Sequence, residues 1–343
     1  MREHATISRT SPTGRLRRRL ALLVTGAAGA LVLAAPLLAA DPGAAQAAAR
    51  RVTDVTPSAL DRGPARTDAH LVGQRLVHGD LSVTIPGRRA VLVGYGVENH
   101  LVGTRLDGRW VTIRVDADGT RKRIATGLSP YTMTYSEDGR LVASSRFDGD
   151  ATRVVVRSTA DGSTVARRTF RDGSSVLTLD SSRVVLGSWA PARTRTWQLD
   201  TGRLHTVVHQ AGYRADLTHG LLATLTDDPY QGGCSVLRRL DQPATRLWRS
   251  CDERVERFAP DGRHLTTVAL LSDGAGPSQV LMRSLRGQWQ AAWRVTGGWI
   301  DVQGWEGPDT WVGEVHGPHR SAGLRCTGDD CERTSALRPT DAS

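Results

Sequence analysis

The sequence predicts an all-β protein, a β-propeller of about 41 residues per blade, with seven blades favoured over six. Three observations carry this expectation. A glycine-type turn returns through the chain, with tips at Gly79, Gly119, Gly162, Gly202, Gln242, Gly287 and Gly328, so that successive tips differ by 40, 43, 40, 40, 45 and 41 residues. Each tip is flanked by alternating apolar strands, and Asp-Gly or Gly-X supplies the positive φ that tight hairpins require. A second turn series keeps the same phase, because Asp138-Gly139-Arg140 and Asp261-Gly262-Arg263 sit 123 residues apart, three periods of 41. Self-similarity at this period marks a repeat architecture, and a unit built only of strands and turns has the size of a four-stranded propeller blade.

Taken in chain order, residues 1–47 are expected to stand outside the fold as a signal peptide. Arg15, Arg17, Arg18 and Arg19 precede an Ala/Leu-rich run from Leu20 to Ala40, and Ala45-Gln46-Ala47 follows as a small-residue cleavage pattern, placing the mature start near Ala48 to Arg50. The run is long for a signal, so an uncleaved membrane anchor is the alternative, although Gly26, Gly29 and Pro36 weaken it as a spanning helix. Residues 48–66 read as a linker or as first strands. The propeller is assigned to 67–338 and a short tail to 339–343.

Within the propeller, seven outer hairpins are visible but only six inner strand pairs, the first blade near Leu71 to Pro86 lacking one. Either residues upstream of Asp68 supply its missing strands, or the first hairpin completes the last blade of a six-bladed ring. The hairpin count favours seven. The inner turns Ser136-Glu137-Asp138-Gly139-Arg140-Leu141 and Ala259-Pro260-Asp261-Gly262-Arg263-His264-Leu265 resemble the S-P-D-G-R-x-L turn of TolB-like and WD40-like propellers. The resemblance implies the fold and the place of this turn between inner strands. It implies no single function, since lectins, scaffolds, enzymes and periplasmic assembly factors share it, and the WD dipeptide is absent.

Cys234 and Cys251 are equidistant from the Gln242-Pro243 tip, and Cys326 and Cys331 from the Gly328-Asp329 tip. Residues equidistant from a hairpin turn face each other at disulfide distance, so the expected bonds are 234–251 and 326–331. Zinc is the rival for four cysteines, but no CxxC spacing is present. Bonded cysteines and the N-terminal signal together point to a secreted protein of the cell envelope or extracellular space.

The chain carries 45 basic and 35 acidic residues; without residues 1–47 the balance is 39 against 33, or +6. Lys122 is the single lysine, and this arginine bias, with abundant Ala, Gly and Val, resembles secreted proteins of high-GC Gram-positive bacteria. The arginines are spread over every blade instead of clustered among stacking aromatics, which argues against nucleic acid as a partner.

Five tryptophans crowd the last two blades. Trp248 and Trp293 occupy matching places in Leu247-Trp248-Arg249 and Ala292-Trp293-Arg294, and are expected at a repeated, buried packing position between blades. Trp299, Trp305 and Trp311 lack such equivalents and are the candidate ligand platform. Glu314, His316 and His319, the pair His205 and His209, and the loop acids Asp148, Asp150, Asp227 and Asp228 are the candidate metal ligands. None matches a ligand signature, and no metal or other cofactor is assigned. Nor is there a G-x-S-x-G or S-x-x-K motif, so no catalytic residue is assigned. The resulting expectation is a secreted, monomeric, non-catalytic propeller that binds a protein, peptide or glycan, with no membrane span in the mature chain. A propeller-based hydrolase or lyase with a metal or acid/base site, and a membrane-tethered sensor ectodomain, are the alternatives.

Overall fold

The computed structural model describes residues 51–96, 98–272, 274 and 276–340, so the expected signal peptide and its cleavage site lie outside the described residues. The strands form seven sheets in chain order. Blade 1 holds His70–Val72, Arg75–His78 and Leu81–Thr84, and blade 2 holds Arg88–Tyr95, Asn99–Leu106, Arg109–Asp116 and Arg121–Thr126. Blade 3 runs from Met133–Tyr135 to Thr164–Phe170, blade 4 from Ser175–Leu179 to Leu204–Val208, and blade 5 from Ala211–Asp216 to Arg246–Ser250. Blade 6 spans Glu253–Phe258 to Trp289–Arg294, and blade 7 spans Trp299–Trp305 to Asp330–Arg333. Blades 2 to 7 are antiparallel meanders whose first strand is innermost, facing the central channel, and blade 1 is a three-stranded meander.

The period has a structural cause. The outermost strand of one blade packs on the turn between the third and fourth strands of the next at successive junctions within the ring. Trp248 of blade 5 lies on Gly287 of blade 6, where an added Cβ would come within 2.1 Å of the indole. Ile124 of blade 2 meets Gly162 of blade 3 in the same way, its carbonyl oxygen 2.1 Å from where a Cβ would stand. Both glycines have positive φ, 77° and 81°, so the turn and the close approach each demand glycine. Trp293 of blade 6 repeats the contact, its Nε1–H donating to the Gly328 carbonyl of blade 7 at 2.9 Å. Trp293 is fully buried, as its repeated position predicts, whereas Trp248 at the equivalent place is only half-buried.

Seven sheets confirm the hairpin count, but the ring is closed in neither of the two expected ways. Blade 1 stays three-stranded, without an innermost strand. Upstream residues run along the outer edges of the last two blades: Thr53–Asp54 adds parallel to blade 6, with Thr53 opposite Trp293, and Arg62 bridges Arg333 of blade 7. Val55 is fully buried in the core shared by blades 6 and 7. Arg325 of blade 7 then donates to the carbonyls of Pro64 and Ala65, and Glu306 accepts from the Thr67 amide at 2.7 Å as the strap turns inward to blade 1. At the other end of the chain Arg338–Pro339 pairs with Arg320 and Ser321 of blade 7. A propeller whose N- and C-terminal strands share no blade needs such a fastening, and this strap supplies it.

Both disulfides form as expected, Cys234–Cys251 across the outer hairpin of blade 5 and Cys326–Cys331 across that of blade 7. They enclose sequence separations of 17 and 5 residues. On chain-entropy grounds the longer loop contributes about 3 kcal/mol and the shorter one less. The Cys234→Ser/Cys251→Ser pair is therefore expected to lower global stability by about that amount in urea unfolding. The Cys326→Ser/Cys331→Ser pair should raise hydrogen exchange chiefly within blade 7.

Blades 1 and 2 meet at a histidine pair. His100 is buried; its Nδ1 faces the Val115 carbonyl at 3.4 Å and its Nε2 lies 2.8 Å from His78 Nδ1. A carbonyl only accepts, so His100 carries its proton on Nδ1 and its Nε2 accepts from His78. Burial lowers the His100 pKa, the Val115 carbonyl opposes this, and the neighbouring His78 adds to it. A lowered folded-state value means that the stabilisation is complete above the unfolded histidine pKa of about 6.5 and is lost as pH falls through the folded one. Unfolding midpoints should fall from pH 7.5 to pH 5, and more gently in His100→Gln; an equal slope in both proteins would refute this assignment.

Candidate functional site

Inner strands place the chemistry. In blades 2, 4, 5, 6 and 7 the innermost strand carries a register shift against its neighbour, as between Val255 and Arg257 and between Val302 and Gly304. Such bulges re-aim side chains. In blade 6 the strand reads Glu-Arg-Val-Glu-Arg-Phe, four charges in six residues. Val255 is fully buried between blades, and Glu253 turns onto its own blade, accepting from Thr267 and Arg283, while Arg254, Glu256 and Arg257 border the channel. Glu256 accepts from Arg254 at 2.5 Å and from Arg214 of blade 5 at 3.1 Å. Arg257 donates its Nε–H to the Val302 carbonyl of blade 7 at 3.3 Å.

Three cavities surround this charged ring. The first, of about 600 Å³, lies between blades 4, 5 and 6 and is walled by Trp189, Tyr213, Tyr230 and Leu270 above Arg214 and Arg254. Trp189, 53% exposed, ends the second strand of blade 4, and Tyr230, 69% exposed, stands on the connection between the second and third strands of blade 5, at the same end of the blades as the exposed Phe147 and Leu271. The second, of about 340 Å³, shares Arg254 with the first and is lined by Glu256, Asp301, Trp299 and His316. Trp299 stacks flat on His316, ring centroids 4.5 Å apart and planes 10° from parallel.

The third and largest cavity, of about 740 Å³, is the seam between blades 7 and 1, and shares Asp301 with the second. It opens because blade 1 lacks an innermost strand. One wall is apolar, made by Leu71 and Val72 of blade 1 with Val91, Leu92 and Tyr95 of blade 2. The opposite wall is polar, with Gln303, Glu314 and Thr334 of blade 7. At the channel end Arg66 and Asp68 form a buried two-bond ion pair, 2.8 and 2.6 Å, and Arg66 also donates to Gln303. Burial raises the Tyr95 pKa, and Asp68 adds to the effect, so Tyr95 stays a neutral phenol. Burial lowers that of Arg257, with Arg214 contributing, while Glu256 and Asp301 support its charge. Protein surrounds Arg257, yet its side chain remains exposed, as befits a group projecting into a channel.

Thr218 of blade 5 donates to Glu137 of blade 3, linking inner turns of two non-adjacent blades.

Of the expected aromatic platform, the structure brings only Trp299 to a cavity wall. Trp311 is fully buried edge-on against Trp293, centroids 5.0 Å apart, and Trp305 packs half-buried on the same core, so the trio is not one surface. His316 serves as the stacking partner of Trp299, and Glu314 accepts from Arg338. Among the described residues no group of three or more His, Cys, Asp or Glu is placed to hold a metal ion, and no helix is long and apolar enough to cross a membrane. The sequence reading missed Arg254, Glu256, Arg257, Trp189 and Tyr230. A signal existed for the first three: a strand leading into the Pro260-Asp261-Gly262 turn is innermost, and a run of four charges on it cannot all be buried.

No family model matches the chain, and no curated protein is similar to it in sequence. Solved structures share its architecture. An acylaminoacyl peptidase in complex with Z-Gly-Gly-Phe-chloromethyl ketone superposes with a TM-score of 0.51 at 10% identity, over 70% of this chain and 43% of the peptidase. The WD40 domain of Toxoplasma gondii coronin matches with a TM-score of 0.47 at 12% identity over 82% of this chain and 78% of its own. TolB from Acinetobacter baumannii matches with a TM-score of 0.43 at 14% identity over 67% and 61%. At these identities the likeness shows a β-propeller fold and nothing of the chemistry.

Proposed function

We propose that this protein is an exported, non-catalytic propeller that binds a macromolecular partner of the cell envelope through its channel mouth. The observation that carries this reading is the continuity of the three cavities around the Arg214, Arg254, Glu256 and Asp301 ring, with aromatic walls at Trp189, Tyr230 and Trp299. Pockets of about 300–1,000 Å³ that combine apolar walls with a few fixed polar groups are suited to recognition. The polar groups here are held in place by one another: Glu256 by two arginines, and Arg66 by Asp68 and Gln303. Such pre-organisation favours binding, because little side-chain freedom remains to be lost.

Export is proposed from Arg15–Arg19, the apolar run and the small residues at 45–47, and the two disulfides are consistent with it. Mass spectrometry of culture supernatant should find a chain starting near Ala48 to Arg50; full-length chain confined to membranes would favour the tethered alternative. For the binding role, hydrogen exchange of the purified protein with and without solubilised envelope fraction should show protection at the strand ends carrying Trp189, Arg254 and Trp299. Protection confined to the outermost strands would overturn the channel as the site. Turnover of a panel of ester, peptide and glycoside substrates, abolished in Glu256→Gln, would establish the hydrolase or lyase reading in its place.

A further inference from the structure

The seam between blades 7 and 1 has the features of an unfilled strand position. In blade 1, Val72 and Arg75 close a two-residue turn whose first residue, Gly73, has a φ of 61°, and they pair across it. In a tight hairpin the closing pair exchanges both of its hydrogen bonds, and antiparallel strands alternate between bonded and non-bonded pairs. The N–H and C=O of Leu71, opposite Leu76, therefore point away from the sheet, to the side where the other blades carry an innermost strand. No described backbone group pairs with Leu71 on that side. A sheet edge with free donors and acceptors is a template for another strand.

Two further observations point to an occupant. Thr334 is 5% exposed, lines the seam, and its Oγ1 has no hydrogen-bond partner. At the channel end, the described hydrogen bond of Arg257 uses Nε alone, and neither terminal nitrogen of this exposed residue has a hydrogen-bond partner among the described residues. The walls differ in character: Leu71, Val91, Leu92 and Tyr95 on one side, and Gln303, Glu314 and Thr334 on the other. Side chains alternate along an extended strand, so a guest lying in the seam presents one face to each wall.

We infer that the seam binds an extended peptide segment of a partner protein, which adds to blade 1 as its innermost strand, with alternating apolar and polar side chains and a carboxylate on Arg257. This rests on the channel being a binding site, and names what one of its cavities takes. The free edge at Leu71 selects a peptide over a glycan, since only a peptide carries amide groups at strand spacing. The unfilled bonds of Thr334 and Arg257 fix its direction and register, and charge-assisted bonds to a carboxylate are the stronger ones.

The test uses a fluorescein-labelled peptide of alternating valine and threonine with one central glutamate, titrated with the purified protein and followed by anisotropy. Saturable binding is expected, weaker by about tenfold or more in Arg257→Gln, and equally weakened when the peptide's glutamate is replaced by glutamine. N-methylation of alternate backbone amides in the peptide should abolish binding in one phase and spare it in the other. Val165→Ser, on an outer strand of blade 3, should leave it unchanged. Because the peptide changes do not touch the protein, misfolding of the arginine variant cannot imitate the result. Absence of saturable binding, indifference to N-methylation in both phases, or competition by glycans but not by peptides would overturn the inference. If the peptide fails while envelope material still protects the Trp189 and Trp299 mouth, the channel reading stands and the seam proposal falls; failure of both removes the common premise.

Discussion

Trp293→Ala is expected to destabilise the protein by about 3–5 kcal/mol, measured as the shift in urea unfolding. The indole is fully buried where three parts of the molecule meet: the outer strand of blade 6, the blade 7 turn that accepts its Nε1–H, and the strap residue Thr53 paired beside it. Its edge-on contact with Trp311 adds aromatic packing beyond the area removed from water. Truncation leaves a cavity that paired strands cannot collapse into, and it loosens the fastening that closes the ring. Trp293→Phe separates the contributions, since most of the ring volume stays and the Gly328 hydrogen bond is lost, for a smaller loss of about 1 kcal/mol. A change under about 0.5 kcal/mol in the alanine variant would contradict a structural role at this junction.

Asp172→Ala should have an effect of similar size. This carboxylate is completely buried in the connection from blade 3 to blade 4, where Arg195, Arg193 and Ser174 all donate to it. Burial pushes its pKa up, but Ser174, Arg193 and Arg195 outweigh burial and hold it below the usual carboxylate value. Its removal strands Arg195, whose side chain is only 7% exposed, without a counter-charge; breaking a buried pair in this way costs about 3–5 kcal/mol. Arg193, more open to water, tolerates replacement better, so Arg193→Met should lose much less. The pH dependence follows from the lowered pKa. The contribution of Asp172 is complete above about pH 4 and disappears as pH falls through the folded-state value, so wild type and Asp172→Ala should converge in acid. A gap that widens on acidification would show that the carboxylate is not the origin of the effect.

Legibility in the sequence follows the range of the interactions. Gly162 and Gly287 were readable because a tight hairpin and a close neighbour both forbid a side chain there, and that constraint is local enough to recur with the period. The disulfides were readable because equidistance from a turn implies apposition whatever the rest of the chain does. Trp293 was readable from its repeat in Trp248, although the degree of burial differs because Trp293 alone is also covered by the strap. Trp299, Trp305 and Trp311 were not separable by sequence. Trp299 and Trp305 share one strand of blade 7, and the bulge between Val302 and Gly304 turns Trp305 beside its cross-strand partner Trp311 on the core while Trp299 meets the cavity.

The all-β class, the blade length, the seven hairpins and both disulfides are written in the chain, since each rests on contacts between residues a turn apart. How the ring closes, where its cavities lie and which side chains meet there emerge only on folding. The pairing of Arg62 with Arg333, the bond from Arg66 to Gln303 and the seam between Leu71 and Thr334 join residues more than 230 positions apart. No local pattern records such contacts, because they arise only when the last blade is folded back beside the first and the strand missing from blade 1 leaves its inner edge open to the channel.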